Sequence, residues 1–316
     1  MATMKTLNGY GFNATELNGK AASDYLQKTD TAINSAKLGG KAPEYYIQPR
    51  NLLDNSDFRK PVNQRGQTDY TSNGYTIDRW EIYSGAVGVS SLGYITTSGQ
   101  MYQKIAIPTD KVYTFAIEND AGIALVTGIP ANGVLSATLG NSLIKLATID
   151  GYAEVVIEPS EGHNLAGAYW AALYEGSYTV DTLPPYVPKG YAAELAECLK
   201  YFERLGSTFS EQIGNIVYVV SGAKSFVCSL QCSRKRIPHP SVSISGVDNY
   251  RLLLKDATNA STYSATPISS FDSITIQEPF ISFRVNMASA ITQNSWIQLQ
   301  RNDGATAAYI DVSADL

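Results

Sequence analysis

The sequence predicts an all-β protein: an N-terminal repeat stalk, then two β-sandwich, jelly-roll-like domains joined by a short helix. Three observations predict it. Apolar residues alternate with polar ones in short runs that Gly, Asn, Pro and Ser interrupt, the pattern of strands with one wet face. The segment Leu17–Gln27 recurs at Leu38–Gln48. The composition combines 44% hydrophobic residues with only 17% charged ones and 21 Tyr, which suits sandwiches with hydroxyl- and amide-rich surfaces. A chain of 316 residues also exceeds one ordinary core.

Residues 1–50 form the expected stalk. LNGKAASDYLQ and LGGKAPEYYIQ keep Leu, Gly, Lys, Ala, Tyr and Gln in register at a period of 21 residues, and Leu7-Asn8-Gly9 opens a partial third copy. Each unit has too few large apolar residues to close a core alone. Repeats of this size are stable when stacked or wound with other chains.

Residues 51–188 form the first expected sandwich. Strands are expected at 75–83, 87–95, 101–107, 112–118, 123–127, 134–139, 143–149, 153–157 and 168–174. Pro184, Pro185 and Pro188 then break the pattern as an extended connector. Residues 189–316 form the second domain. Leu195, Cys198, Leu199, Phe202 and Leu205 share one face at helical spacing, which predicts a helix over 191–205 that Gly206 stops. Strands follow at 216–220, 226–232, 242–245, 250–254, 273–277, 280–286, 296–300 and 308–312.

Several chemistries are not expected. A net charge of −5, with Arg234-Lys235-Arg236 the one basic cluster, argues against nucleic acid. No run approaches the roughly 20 apolar residues of a membrane helix, so no membrane insertion is expected. The first residues lack the apolar stretch of a secretory leader, so synthesis and folding in a cytoplasm are expected. Cys228 and Cys232 sit about 13 Å apart along an alternating run, beyond disulfide reach, and read as core thiols. With His239 they match only loosely a zinc spacing, so no metal is expected, and no cofactor motif is present. Of the two histidines, His163 lies in a polar turn and His239 between prolines, without a nucleophile motif. Glu154 with Glu158, or Asp248 with Asp256, are the carboxylate pairs to weigh for a glycosidase, which needs acids roughly 5–9 Å apart. Trp80 and Trp170 fall within alternating runs and are assigned to the core.

The two repeat units resemble short repeats near the N-terminus of many phage tail fibres. NLLDNSDFRKPVNQRG with GYTIDRW (51–66 and 74–80) resembles the opening of a β-sandwich module in tail proteins of phages and prophages, especially from Gram-positive hosts. WAALYEGSYTVDTLPPYVPKGYAAELAECLKYF (170–202) resembles its close, and RKRIPHPSVSISG and AYIDVSADL resemble parts of the terminal β-domain that follows. The resemblance implies a tail-fibre or baseplate receptor-binding protein: a homotrimer carried in the virion, made in the host cytoplasm. Its residues 1–50 would join other tail or baseplate proteins. Its far end would bind a bacterial cell-wall or capsular glycan without cleaving it, so no enzyme is expected. A structural spacer that presents another receptor-binding protein is the alternative, and a polysaccharide depolymerase a lesser one.

The resemblance transfers no binding site, which has to be argued locally. With the stalk at the virion end, the second sandwich is left to meet the cell. Its polar runs 255–267 and 287–295 suit recognition loops, and Tyr250, Tyr263, Asn294 and Trp296 are the expected receptor-binding residues.

Overall fold

The computed structural model describes residues 16–17, 20–21, 49–207, 213, 217–219, 222–236, 240–256, 263–277, 279–291, 295–302, 305 and 308–314. Of these, 16–17, 20–21, 207, 219, 255–256, 263–266 and 277 are described by backbone alone. Chain contacts divide it into two units, one comprising 1–50 with 181–185 and the other 51–180 with 186–316. In the first, β1 (Glu16–Leu17) pairs antiparallel with β2 (Lys20–Ala21). The rest of the repeat pair lies outside the described residues.

The second unit is built from antiparallel strands around two cores. Its first strands are β3 (Asp69–Tyr70), β4 (Gly74–Tyr75), β5 (Glu81–Ile82), β6 (Val87–Ser90), β7 (Tyr94–Thr97) and β8 (Met101–Ile105). Then come β9 (Tyr113–Asn119), β10 (Gly122–Gly128), β11 (Leu135–Leu139), β12 (Ser142–Ile149), β13 (Tyr152–Pro159), β14 (Ala166–Ala168) and β15 (Trp170–Glu175). They form sheets ordered β11-β12-β13-β8-β5-β4, β14-β7-β6-β3 and β10-β9-β15. All three sheets contribute to one core: Met101, Ile144 and Ile157 from the first, Val87 and Ile95 from the second, Phe115, Ile117 and Leu173 from the third. Trp80 and Trp170 are buried, as assigned from their runs.

After the helix α1 (Tyr191–Cys198) come β16 (Phe202–Ser207), β17 (Val217–Val219), β18 (Ser225–Gln231), β19 (Ser241–Ile244) and β20 (Tyr250–Asp256). The last strands are β21 (Tyr263–Thr266), β22 (Ile268–Gln277), β23 (Phe280–Met287), β24 (Ser295–Arg301) and β25 (Ala308–Ser313). Their sheets are β16-β25-β19, β17-β24-β20-β21 and β18-β23-β22. Strand β23 shows why they form: Ile281, Phe283, Val285 and Met287 point into the second core while the residues between them do not. Cys228 and Cys232 belong to that core.

Several expectations change. The run 75–83 is not one strand: β4 and β5 pair antiparallel across the turn between them. The run 87–95 is a hairpin, because Gly93 at φ +87° supplies the turn between β6 and β7. The helix ends at Cys198, and its buried residues are Glu194 and Cys198, with Leu195 and Leu199 only half-buried. Phe202 and Leu205 belong to strand β16, which pairs with β25 about a hundred residues away, a partner no local periodicity reveals. Gly206 therefore stops no helix. It lies inside β16 at φ +133°, where a side chain would strike the Ala308 carbonyl and Tyr309 backbone of β25. The polar run 255–267 also contains a strand, since β21 pairs with β20.

A polar and aromatic joint connects the two cores. Asn55, at φ +52°, donates through Nδ2 to the carbonyls of Val62 and Asp78, at 2.8 and 2.7 Å, and accepts from Val62 N at 2.7 Å. Its own backbone N–H donates to Glu194 of α1. Arg79, at φ +71°, lays its guanidinium 3.5 Å over the Tyr201 ring, and Arg65 lies 3.7 Å over Phe202. Arg204 grips Asp311 with two bonds of 2.7 Å and donates to the Arg65 carbonyl at 2.9 Å. Gln64 closes the joint by donating to the Phe202 carbonyl at 2.9 Å.

Candidate functional site

A cleft of about 530 Å³ opens at this joint among Asp57, Arg59, Tyr186, Lys189, Tyr191 and Glu194. Its groups mostly serve the fold. Lys189 donates to the Leu53 carbonyl at 2.9 Å, Arg59 pairs with Asp57 at 2.6 Å, and Tyr186 stacks on buried Trp170 at 4.6 Å. Burial raises the Glu194 carboxyl, with nearby Lys189 pulling it back in part.

The carboxylate pairs weighed for hydrolysis are not brought together. Glu154 and Glu158 lie four residues apart on β13, about 13 Å along the strand, wider than the two geometries of glycoside hydrolysis. Glu154 accepts from the Tyr83 hydroxyl at 2.8 Å, and Glu158 pairs with Lys145 at 2.5 Å. Asp248 lies in the 3-10 turn 247–249 before β20, and Asp256 ends that strand, roughly 20 Å from its start. His163 is exposed in its turn, and His239 lies outside the described residues.

A different arrangement occupies the sheet β17-β24-β20-β21. Along β24, Ser295, Ile297 and Leu299 are buried, whereas Trp296 is 46% exposed and Gln298 on its face half-buried; Gln300, next in that alternation, is buried. Tyr218 of β17 stands directly opposite Trp296 and is also 46% exposed. Their rings meet edge to face, with centroids 5.1 Å apart and planes at 63°. The register continues the row: Trp296 faces Lys255 on β20, and Lys255 faces Tyr263 on β21. Four strands thus place Tyr218, Trp296, Lys255 and Tyr263 in one line about 14 Å long. Beside it, Gln300 donates to Gln298 at 3.2 Å and accepts from Arg251 at 3.4 Å.

The face therefore offers aromatic surface, the Gln298 amide and the Arg251 guanidinium, the groups that stack on sugar C–H faces and meet hydroxyls. Of the expected receptor-binding residues, Trp296 and Tyr263 fall into the row. Asn294 lies outside the described residues. Tyr250 lies in the core instead. It is 2% exposed, meets Phe271 at 5.0 Å, and donates to the Tyr309 carbonyl at 2.6 Å; burial pushes its hydroxyl up to about 12. The reason is the period of β20: Tyr250, Leu252 and Leu254 face the core, Arg251 and Leu253 the other side. Tyr218 and the Gln298–Gln300 pair were missed. Their signal was the cross-strand register with Trp296, which no single strand displays.

No family model matches the chain, and no curated protein matches it. One solved structure to which it is similar is "The Triple Jelly Roll Fold and Turret Assembly in an Archaeal Virus", at 15% identity and a TM-score of 0.12 over 70% of this chain. The chain spans 58% of that protein, and a likeness at this level carries no argument.

Proposed function

We propose that the protein is a phage tail-fibre or baseplate adhesin that binds a bacterial cell-wall or capsular glycan without cleaving it. The single observation that carries this reading is the open Tyr218–Trp296 pair, set in a cross-strand row and flanked by Gln298 and Arg251. Exposed aromatic rings cost solvation free energy, and a shallow platform of rings and amides uses them on sugar. The resemblance of the N-terminal repeats and of the two long strings to tail proteins supports the same reading. In it the chain is a homotrimer in the virion, and residues 1–50 join it to other tail or baseplate proteins. One shallow face yields weak binding, and several copies on one trimer raise avidity by about 10²–10⁴.

The test is binding of the labelled full chain to a panel of purified bacterial cell walls and capsules, with wild type against a Tyr218→Ala/Trp296→Ala double variant. Binding to at least one preparation is expected, reduced at least tenfold in the variant while light scattering shows an unchanged assembly. Equal binding by both proteins overturns the site. Collapse of the variant to monomers assigns the face to contacts between chains instead.

A further inference from the structure

A second cleft lies on the first sandwich, away from the joint. It encloses about 230 Å³ among Tyr94, Thr96, Asn119, Asp120, Asn141, Leu165, Gly167, Ala168 and Tyr169. Its floor is the outer face of the sheet containing β7 and β14. Tyr94 and Thr96 alternate there with buried Ile95 and Thr97, and Gly167 stands opposite Thr96. Gly167 brings no side chain, so the floor stays open beneath the rings. The walls come from two turns. Asn119 shapes the β9–β10 turn by accepting from Ala121 N at 2.9 Å and donating to the Leu139 carbonyl at 3.0 Å. That turn presents exposed Asp120, and the β11–β12 turn presents Asn141.

The rings of Tyr94 and Tyr169 meet edge to face, 6.1 Å apart at 77°. The Tyr169 hydroxyl donates to Asp120 Oδ1, which fixes both groups at the mouth; that bond, followed by desolvation, raises the tyrosine's pKa. Leu165 is 49% exposed at the rim. The cleft thus combines an aromatic corner, a carboxylate, an amide, a hydroxyl and one apolar contact.

We infer that this cleft is a subsite for one neutral pyranose unit, an N-acetylhexosamine above all. Its volume falls below the roughly 300–1,000 Å³ of sites for larger ligands, which limits the occupant to a single ring. The tyrosine corner suits the C–H face of that ring, while Asp120, Asn141 and Thr96 suit its hydroxyls. Leu165 suits an acetyl methyl. The one charged side chain lining the cleft is a carboxylate, which repels phosphates and uronates. The inference shares the glycan class of the proposed function but uses different residues, so the two stand or fall separately.

Saturation-transfer NMR on the full chain tests it, with methyl β-glucoside, methyl β-galactoside, N-acetylglucosamine, N-acetylgalactosamine and glucuronate as probes. Transfer to at least one neutral sugar is expected, strongest for an N-acetyl sugar, with none to glucuronate. Asp120→Ala, in an exposed turn, and Tyr94→Ala should each weaken binding at least tenfold, with Val134→Ala, an exposed residue outside both proposed sites, leaving it unchanged. A melting curve on each variant separates lost binding from lost fold. Absence of transfer to all four neutral sugars in wild type overturns the inference, as does transfer that survives in both cleft variants. Transfer lost in Trp296→Ala but kept in Asp120→Ala places binding on the other sandwich and also overturns it. Equal transfer to glucuronate refutes the neutral-sugar assignment.

Discussion

The joint between the two cores and the outer face of β24 are made of the same chemical parts, and differ in what those parts meet. In the joint, Arg79 and Arg65 lie on Tyr201 and Phe202, Arg204 holds Asp311, and the Asn55 amide meets three backbone groups. Trp80 is fully buried there, its indole N–H donating to the Asn55 carbonyl at 2.9 Å. On β24 the rings of Trp296 and Tyr218 touch each other and water, beside Gln298, Gln300 and Arg251. Rings, amides and guanidinium therefore do not mark a binding surface by their presence. The proposed face differs from the Arg-on-ring contacts of the joint in leaving its two rings nearly half uncovered.

The largest expected effect sets one substitution against itself in the two regions. Trp80→Ala should cost about 3–5 kcal/mol of stability, since it empties a fully buried ring site packed edge to face on Phe58 at 5.2 Å. Trp296→Ala should cost under about 1 kcal/mol, because nearly half of its surface is already wet. Denaturant melts of the two variants check this; equal losses would show that Trp296 is part of the core. The next effect compares two arginines. Arg204→Ala removes two charge-assisted bonds and leaves a partly buried Asp311, an expected loss of about 2–3 kcal/mol. Arg284→Ala breaks an exposed 3.9 Å pair with Asp272 and should change stability by less than about 0.5 kcal/mol. Similar melting shifts for both would mean that the joint does not lock the two sandwiches.

The same contrast explains what the sequence made legible. Alternation reports burial on a local scale, so most strands, the core tryptophans and the two core cysteines could be read from their own runs. Tyr250 was legible too, because Leu252 and Leu254 share its face. The strand at 202–207 was hidden, since Leu195, Cys198, Leu199, Phe202 and Leu205 fit a helical spacing and β25 lies at the far end of the chain. The segments 51–66, 74–80 and 170–202 supply Asn55, Asp78, Arg79, Glu194 and Phe202 to the joint. The row of Tyr218, Trp296, Lys255 and Tyr263 comes from four separate strands, so nothing in linear order signals it.

The smallest expected effect is a change in pH slope, and it also separates the joint from the outer face. Burial raises the Glu194 carboxyl above its ordinary 4.5; Lys189 at 3.8 Å opposes the rise, and Asp54 and Glu197 add to it. Between the unfolded and folded pKa values the native state therefore binds more protons than the unfolded chain. The contribution of Glu194 to stability must fall as pH rises through that window, and it is constant below the unfolded value. Glu194→Gln keeps an oxygen for the Asn55 N–H and removes the titration. Its melting temperature relative to wild type should be more favourable at pH 7 than at about pH 5, with the difference vanishing near the ordinary glutamate pKa. The row on the outer face contains no carboxylate, so Trp296→Ala should keep the wild-type slope across the same range. Melts at a series of pH values decide the matter. A slope of opposite sign for Glu194→Gln would mean that Lys189 outweighs burial, and that the joint is held by an ion pair rather than merely tolerating a buried acid.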